Sequence, residues 1–401
     1  MRKLWLACIL AAAACASTDD GSNPDDGSRV ALRPVGDDAG SDAALTDDDA
    51  GPCDDCEHFP DVCTADALCP DGPFNTGTAG GSFEELAEVT AIRGRSPSDV
   101  WVVGSLGAIA RFDGTSWSRS SFGRRDTLLG MWLRDTTEIA VSRTDVVMGA
   151  LRLFARGPGA PEDSEPPTGD GWRTFYTPLP PESDGYDFNI VSAYAAPRSD
   201  SLWAVLTTSQ SDSTHSGLVR LRAAVQSTFS LGLGPGSACT PGCNWMNGVH
   251  GASATDLWAV GASGTTIRIT DAESDTPQAT LYDSRTSNSL NAVWAASSSD
   301  AWSVGASGTL RHYVGEPFVW ATVPDSPTTA DLNAVWGSSP SDVWAVGDAG
   351  VVLHYDGTSW SRVKVAGLGG RRPKLTAVWV PQPGHVWIGG QGVVLSLGGK
   401  P

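Results

Sequence analysis

Leu332-Asn333-Ala334-Val335-Trp336-Gly337-Ser338-Ser339-Pro340-Ser341-Asp342-Val343-Trp344-Ala345-Val346-Gly347 is followed by Val351-Val352-Leu353-His354-Tyr355 and then by Asp356-Gly357-Thr358-Ser359-Trp360. Each short apolar run is rich in β-branched and aromatic residues. The boundaries, Ser-Pro-Ser-Asp, Gly-x-x-Gly and Asp-Gly-Thr-Ser, are turn chemistry. The stretch therefore reads as four strands: A through Leu-x-Ala-Val-Trp, B through Asp-x-Trp-Ala-Val, C through the β-branched run and D from Trp360. Related copies start near Val89, Leu128, Ile190, Met246, Leu290, Leu332 and Leu375, which makes seven. Four short antiparallel strands recurring every 40–45 residues or so are the signature of a propeller blade. The expected fold is all-β, a seven-bladed β-propeller of four-stranded antiparallel blades. No segment after the first fifteen residues sustains the 3.6-residue apolar period of a helix.

The chain carries 16 Trp, and most of them fall in three slots of the repeat. Trp132, Trp294, Trp336 and Trp379 end strand A; Trp101, Trp203, Trp258, Trp302, Trp344 and Trp387 sit in strand B; Trp117, Trp172, Trp320 and Trp360 open strand D. Such regularity points to packing between successive blades, against the alternative of a carbohydrate platform. Trp245 lies outside the pattern. Asp99, Asp256, Asp300 and Asp342 recur just before the strand B Trp, where a short carboxylate can cap the preceding Ser-rich turn through backbone N–H groups. A catalytic carboxylate has no reason to recur in blade after blade.

Copy two departs most, with Glu138 and Ala140 in the Asp and Trp positions and a long segment from Gly157 to Gly171. Copy three has a longer B–C loop and a long exit containing Cys239-Thr240-Pro241-Gly242-Cys243, in which the two cysteines could close a staple across a turn. Copy seven ends without a strand D. Ser82-Phe83-Glu84-Glu85-Leu86 has the pattern of Ser359-Trp360-Ser361-Arg362-Val363, so the ring is expected to be closed by this N-terminal strand, with Phe83 buried as Trp360 is. Pairing both edges removes an aggregation hazard.

Arg2 and Lys3, the apolar run Leu4 to Ala14 and the small residues before Cys15 read as an export signal. Ala12-Ala13-Ala14-Cys15 resembles a bacterial lipobox, although Ala12 stands where Leu is usual. That resemblance implies lipidation of Cys15 and a membrane anchor; the alternative is an ordinary secretory signal with Cys15 incidental. The formal charge of −19 is concentrated after the signal, where residues 16–71 carry sixteen Asp or Glu against Arg29 and Arg33. Residues 16–52 cannot bury enough apolar surface to offset ordering entropy and read as an acidic disordered tether. They lack the spacing of a calcium loop. Cys53, Cys56, Cys63 and Cys69 form a cluster that export makes a pair of disulfides, with connectivity open, while the same thiols could hold zinc. The expected divisions are thus a signal segment at 1–15, the tether at 16–52, a Cys-rich knot and linker at 53–80, and the propeller at 81–401.

The Leu-Asn-Ala-Val-Trp-Gly-Ser-Ser-Pro-Ser-Asp-Val-Trp-Ala-Val-Gly pattern resembles the Trp-rich repeats of exported bacterial propellers. More distantly it is similar to Asp-box, Kelch-type and photosystem-assembly propellers. The resemblance covers residues 82–401 and implies surface display and recognition without naming a ligand. No G-x-S-x-G elbow, H-E-x-x-H or phosphate loop is present. His312 and His354 share a strand C slot, His250 replaces a strand A Trp and His385 replaces the repeat Asp, so they read as repeat variants. No catalytic residue, metal site or cofactor is expected. The folded part has no Lys/Arg run, which argues against nucleic acid. The expectation is a monomeric, non-enzymatic lipoprotein of the cell envelope, at the outer membrane or cell surface, that binds a protein or surface; a carbohydrate-binding propeller or degenerate glycan hydrolase is the alternative.

Overall fold

Strand B of each copy is an unbroken apolar run rather than an alternation, because a blade packed between two neighbours has no solvent-facing side. Val100–Gly104 and Val343–Gly347, for instance, are buried at every position. A computed structural model describes residues 55–398 except 76, 144–149, 161–166, 179–187, 198, 209–216, 224–228 and 234–244. Those residues form seven four-stranded antiparallel sheets, each running A-B-C-D from the ring centre outward. Blades 1 to 6 span 89–119, 128–178, 188–233, 246–283, 290–322 and 332–362; blade 7 spans 375–397 and takes its fourth strand from Leu68–Pro70.

The core lies between blades. Trp101, Phe122, Phe154 and Trp172 fill the gap between blades 1 and 2, and Trp258, Leu290, Tyr313 and Trp320 that between blades 4 and 5. The Gly-x-x-Gly turns joining strands B and C need two consecutive left-handed residues, such as Ser307 (φ 53°) and Gly308 (φ 66°). Glycine is required at the second, since a Cβ on Gly308 would lie 2.0 Å from Thr328 O.

The last sheet corrects the sequence reading. Leu68, Cys69 and Pro70 pair with Leu397, Ser396 and Leu395, whereas Ser82–Leu86 forms no strand. Chain length is the reason. Strand D is three strand spacings, about 14 Å, from the A position, and the two residues between Leu86 and Val89 reach only about 10 Å. Leu68 stands opposite Leu397 as Trp360 stands opposite Tyr355, so a Leu fills the Trp slot. Phe83 is nonetheless buried, wedged between blades 7 and 1 against Trp117, Trp387 and Val394, with its ring 5.4 Å from that of Phe74.

Residues 53–80, expected to be a knot and linker outside the propeller, are thus partly drawn into it. Phe59 packs against blades 6 and 7 under the guanidinium of Arg372, 3.6 Å from its ring centroid. Val365 N donates to His58 O and Gly367 N to Pro60 O. Cys63 and Cys69 are joined by a disulfide, and Cys56 is also disulfide-bonded. Cys15, Cys53, Cys239 and Cys243 lie outside the described residues, as do 16–52.

Candidate functional site

The residues that the repeat singles out lie between the blades and not in a cleft. Trp101, Trp203, Trp258, Trp302, Trp344 and Trp387 are all buried. The recurring Asp side chains do not cap the turn as expected. Ser hydroxyls do that: Ser341 N donates to Ser339 Oγ and Ser299 N to Ser297 Oγ. The carboxylates face an Arg or His twelve residues on, across the B–C pair. Asp99 meets Arg111 (2.8 Å), Asp256 meets Arg268 (2.6 Å), Asp300 meets His312 (3.2 Å) and Asp342 meets His354 (2.8 Å). Each of these side chains covers the intervening Trp; the His312 ring stacks 3.9 Å from Trp302, and Arg268 lies 5.6 Å from the Trp258 centroid. Asp99 and Asp342 are held below the usual carboxylate range by these donors, although their own burial opposes it. These sets clamp strands and hold no open coordination position. Among the described residues, no group of three or more His, Cys, Asp or Glu is placed to hold a metal.

One open feature is the central channel, a cavity of about 140 Å³ lined by the strands A of all seven blades. In every strand A the second residue of the repeat is a bulge: Thr90, Leu129, Val191, Asn247, Asn291, Asn333 and Thr376 are each skipped in the pairing with strand B. A bulge re-aims the side chain it carries, here toward the next blade. Asn247 Nδ2 donates to Leu290 O (2.9 Å), Asn291 Nδ2 to Leu332 O (2.9 Å) and Asn333 Nδ2 to Leu375 O (3.0 Å). Thr376 Oγ1 donates to Val89 O and Thr90 Oγ1 to Leu128 O. Leu129 and Val191 break this girdle of blade-to-blade latches.

The residues that close the A motif are Arg93, Trp132, Tyr194, His250, Trp294, Trp336 and Trp379, and of these Arg93, His250 and Trp336 line the channel. Trp294 and Trp379 lie sideways on the next blade, over Gly337 and Gly94, where a Cβ would come within 2.7 and 2.4 Å of the ring. Trp336 has no such seat, because Val380 occupies the matching position. Its indole instead reaches across the channel to residues of blades 1 and 4, with the Arg93 guanidinium 4.3 Å over it and the His250 ring 4.8 Å away, edge to face. The Tyr194 ring lies 4.2 Å from that of His250, tilted by 38°, and its hydroxyl donates to Gly251 O. Loss of hydration pulls the Arg93 pKa down to about 10 and pushes Tyr194 up to about 12. Burial, and then the field of Arg93, hold His250 well below its ordinary value. No carboxylate among the described residues pairs with Arg93. The sequence reading singled out neither Arg93 nor the bulged residue; Arg in an aromatic slot was the available signal.

No protein-family model matches the chain, and no curated protein matches it. Solved structures do. YCF48 from Cyanidioschyzon merolae is 14% identical, with 78% of this chain and 95% of that one covered and a TM-score of 0.54. YCF48 bound to D1 peptide is 12% identical, covering 84% and 97%, with a TM-score of 0.55. The extracellular domain of a hybrid two-component system from B. thetaiotaomicron is 11% identical at a TM-score of 0.55, covering 82% of this chain and 41% of its own. At such identities the likeness is one of fold. The chain is a seven-bladed β-propeller. No helix among the described residues is long and apolar enough to cross a membrane.

Proposed function

We propose that this propeller is an exported, non-enzymatic binding protein, anchored to a bacterial membrane by lipid on Cys15, that engages a protein partner on the face where the strands A begin. The observation that carries the reading is Trp245. It immediately precedes strand A of blade 4, beside the channel-lining Asn247, and is 58% exposed at a left-handed φ of 66°. An exposed Trp is the kind of anchor on which binding energy concentrates, and its two side-chain torsions leave little rotamer entropy to lose on binding. A propeller of similar fold with a bound peptide supports the choice of partner. Export is supported by the signal-like start and acidic tether, and by a similar fold that is an extracellular domain.

Parallel screening of the purified protein on peptide and glycan arrays tests the reading. Peptide binding that Trp245→Ala weakens at least tenfold is expected; saturable glycan binding without peptide binding would establish the carbohydrate alternative instead. For the anchor, a palmitate analogue fed to expressing cells should label the wild type and not Cys15→Ser. An unlabelled, membrane-free wild type would refute lipidation.

A further inference from the structure

The Arg93 end of the channel has the chemistry of an anion site. Arg93 is partly buried, lines the cavity and donates one N–H to Ile92 O at 2.7 Å. The rest of its donor fork has no acceptor among the described residues. His250 supplies a second donor: its Nδ1 accepts the Ala295 N–H at 3.2 Å, so the ring proton of the neutral imidazole sits on Nε2, again without an acceptor among the described residues. Neither donor is sealed from solvent, so both can meet an occupant of the channel without first giving up a protein partner.

We propose that Arg93, Trp336 and His250 form a binding site for the carboxylate of a small organic monoanion, whose flat body lies against the Trp336 indole. Charge selects the class. With His250 neutral, the site presents one positive charge, which a carboxylate balances and a phosphate dianion overshoots. The planar guanidinium fork matches the two carboxylate oxygens. Size permits it, because a cavity of about 140 Å³ is well above the ~10–15 Å³ of such volume that a single water needs. This site is independent of the protein-binding face around Trp245, and either can be present without the other.

Calorimetric titration of the full chain with benzoate, its neutral isostere benzamide, acetate and inorganic phosphate tests the site. Benzoate is expected to bind one to one, acetate more weakly, and benzamide and phosphate at pH 8 at least tenfold more weakly than benzoate. Arg93→Gln should lose at least tenfold in benzoate affinity, and Arg93→Lys, which keeps the charge and loses the fork, should fall between. Equal binding of benzoate and benzamide, no benzoate binding at millimolar concentration, or unchanged affinity in Arg93→Gln would overturn the proposal. The benzoate and benzamide comparison on the wild type decides the matter even if a variant fails to fold.

Discussion

Val380 shows how one methyl-bearing side chain redirects a ring two blades from its contacts. Where the repeat offers Gly, as at Gly94 and Gly337, the preceding blade's Trp lies down; where it offers Val, Trp336 stands across the channel. Val380→Gly should let Trp336 lie back and uncover Arg93, so phenylglyoxal modification of Arg93, followed by peptide mapping, should quicken several-fold. His250 gives a pH signature. The folded protein resists protonating it while the unfolded chain accepts a proton near the ordinary value, so the unfolded state binds more protons below about pH 6.5. Stability is therefore lost as pH falls through that value. The drop in urea midpoint between pH 7.5 and 5 should be smaller in His250→Gln than in the wild type. At this scale the sequence was half legible. The Asp and Trp slots stood out because they repeat, but the twelve-residue step from Asp to Arg or His was hidden by the change of residue from copy to copy.

Strand A shows why a repeat's least constant position can matter. Asn, Thr, Leu and Val alternate in the second residue and read as filler in the sequence, because nothing local betrays a bulge. The bulge turns that residue toward the neighbouring blade, and there only the polar versions form a latch. Asn291→Ala should lower unfolding free energy by about 0.5–1.5 kcal/mol, as should the near-isosteric Thr376→Val. Urea denaturation checks both, and no change in either would mean that the latches are incidental. The clasp at 55–70 offers another element-level check. Reducing the Cys63–Cys69 disulfide, which closes a short loop, should cost about 2 kcal/mol through the entropy returned to the unfolded chain. Melting with and without reductant, alongside Cys63→Ser/Cys69→Ser, measures it.

For the whole molecule, periodicity carried the architecture: seven copies, four strands each, and blades joined through large aromatic rings. It could not carry the last strand, because Leu68–Pro70 shares no motif with the others and is recognisable only by where it packs. Deleting residues 1–52, which keeps all four cysteines of the cluster, should leave the melting temperature within a degree or two. Deleting 1–70 should lower it sharply, since it bares the edge of Val393–Leu397 and removes Phe59 and Leu68 from the core of blades 6 and 7. Equal melting of the two truncations would show that the clasp adds nothing. The pairing of Leu68 with Leu397 also joins an early part of the chain to a late one, and so acts as a test of completeness. A ribosome that stops before Val393, or a protease that cuts ahead of it, leaves the early strand with nothing to pair against. Such fragments stay open and exposed to degradation, so cells should accumulate whole copies of this protein in preference to partial ones.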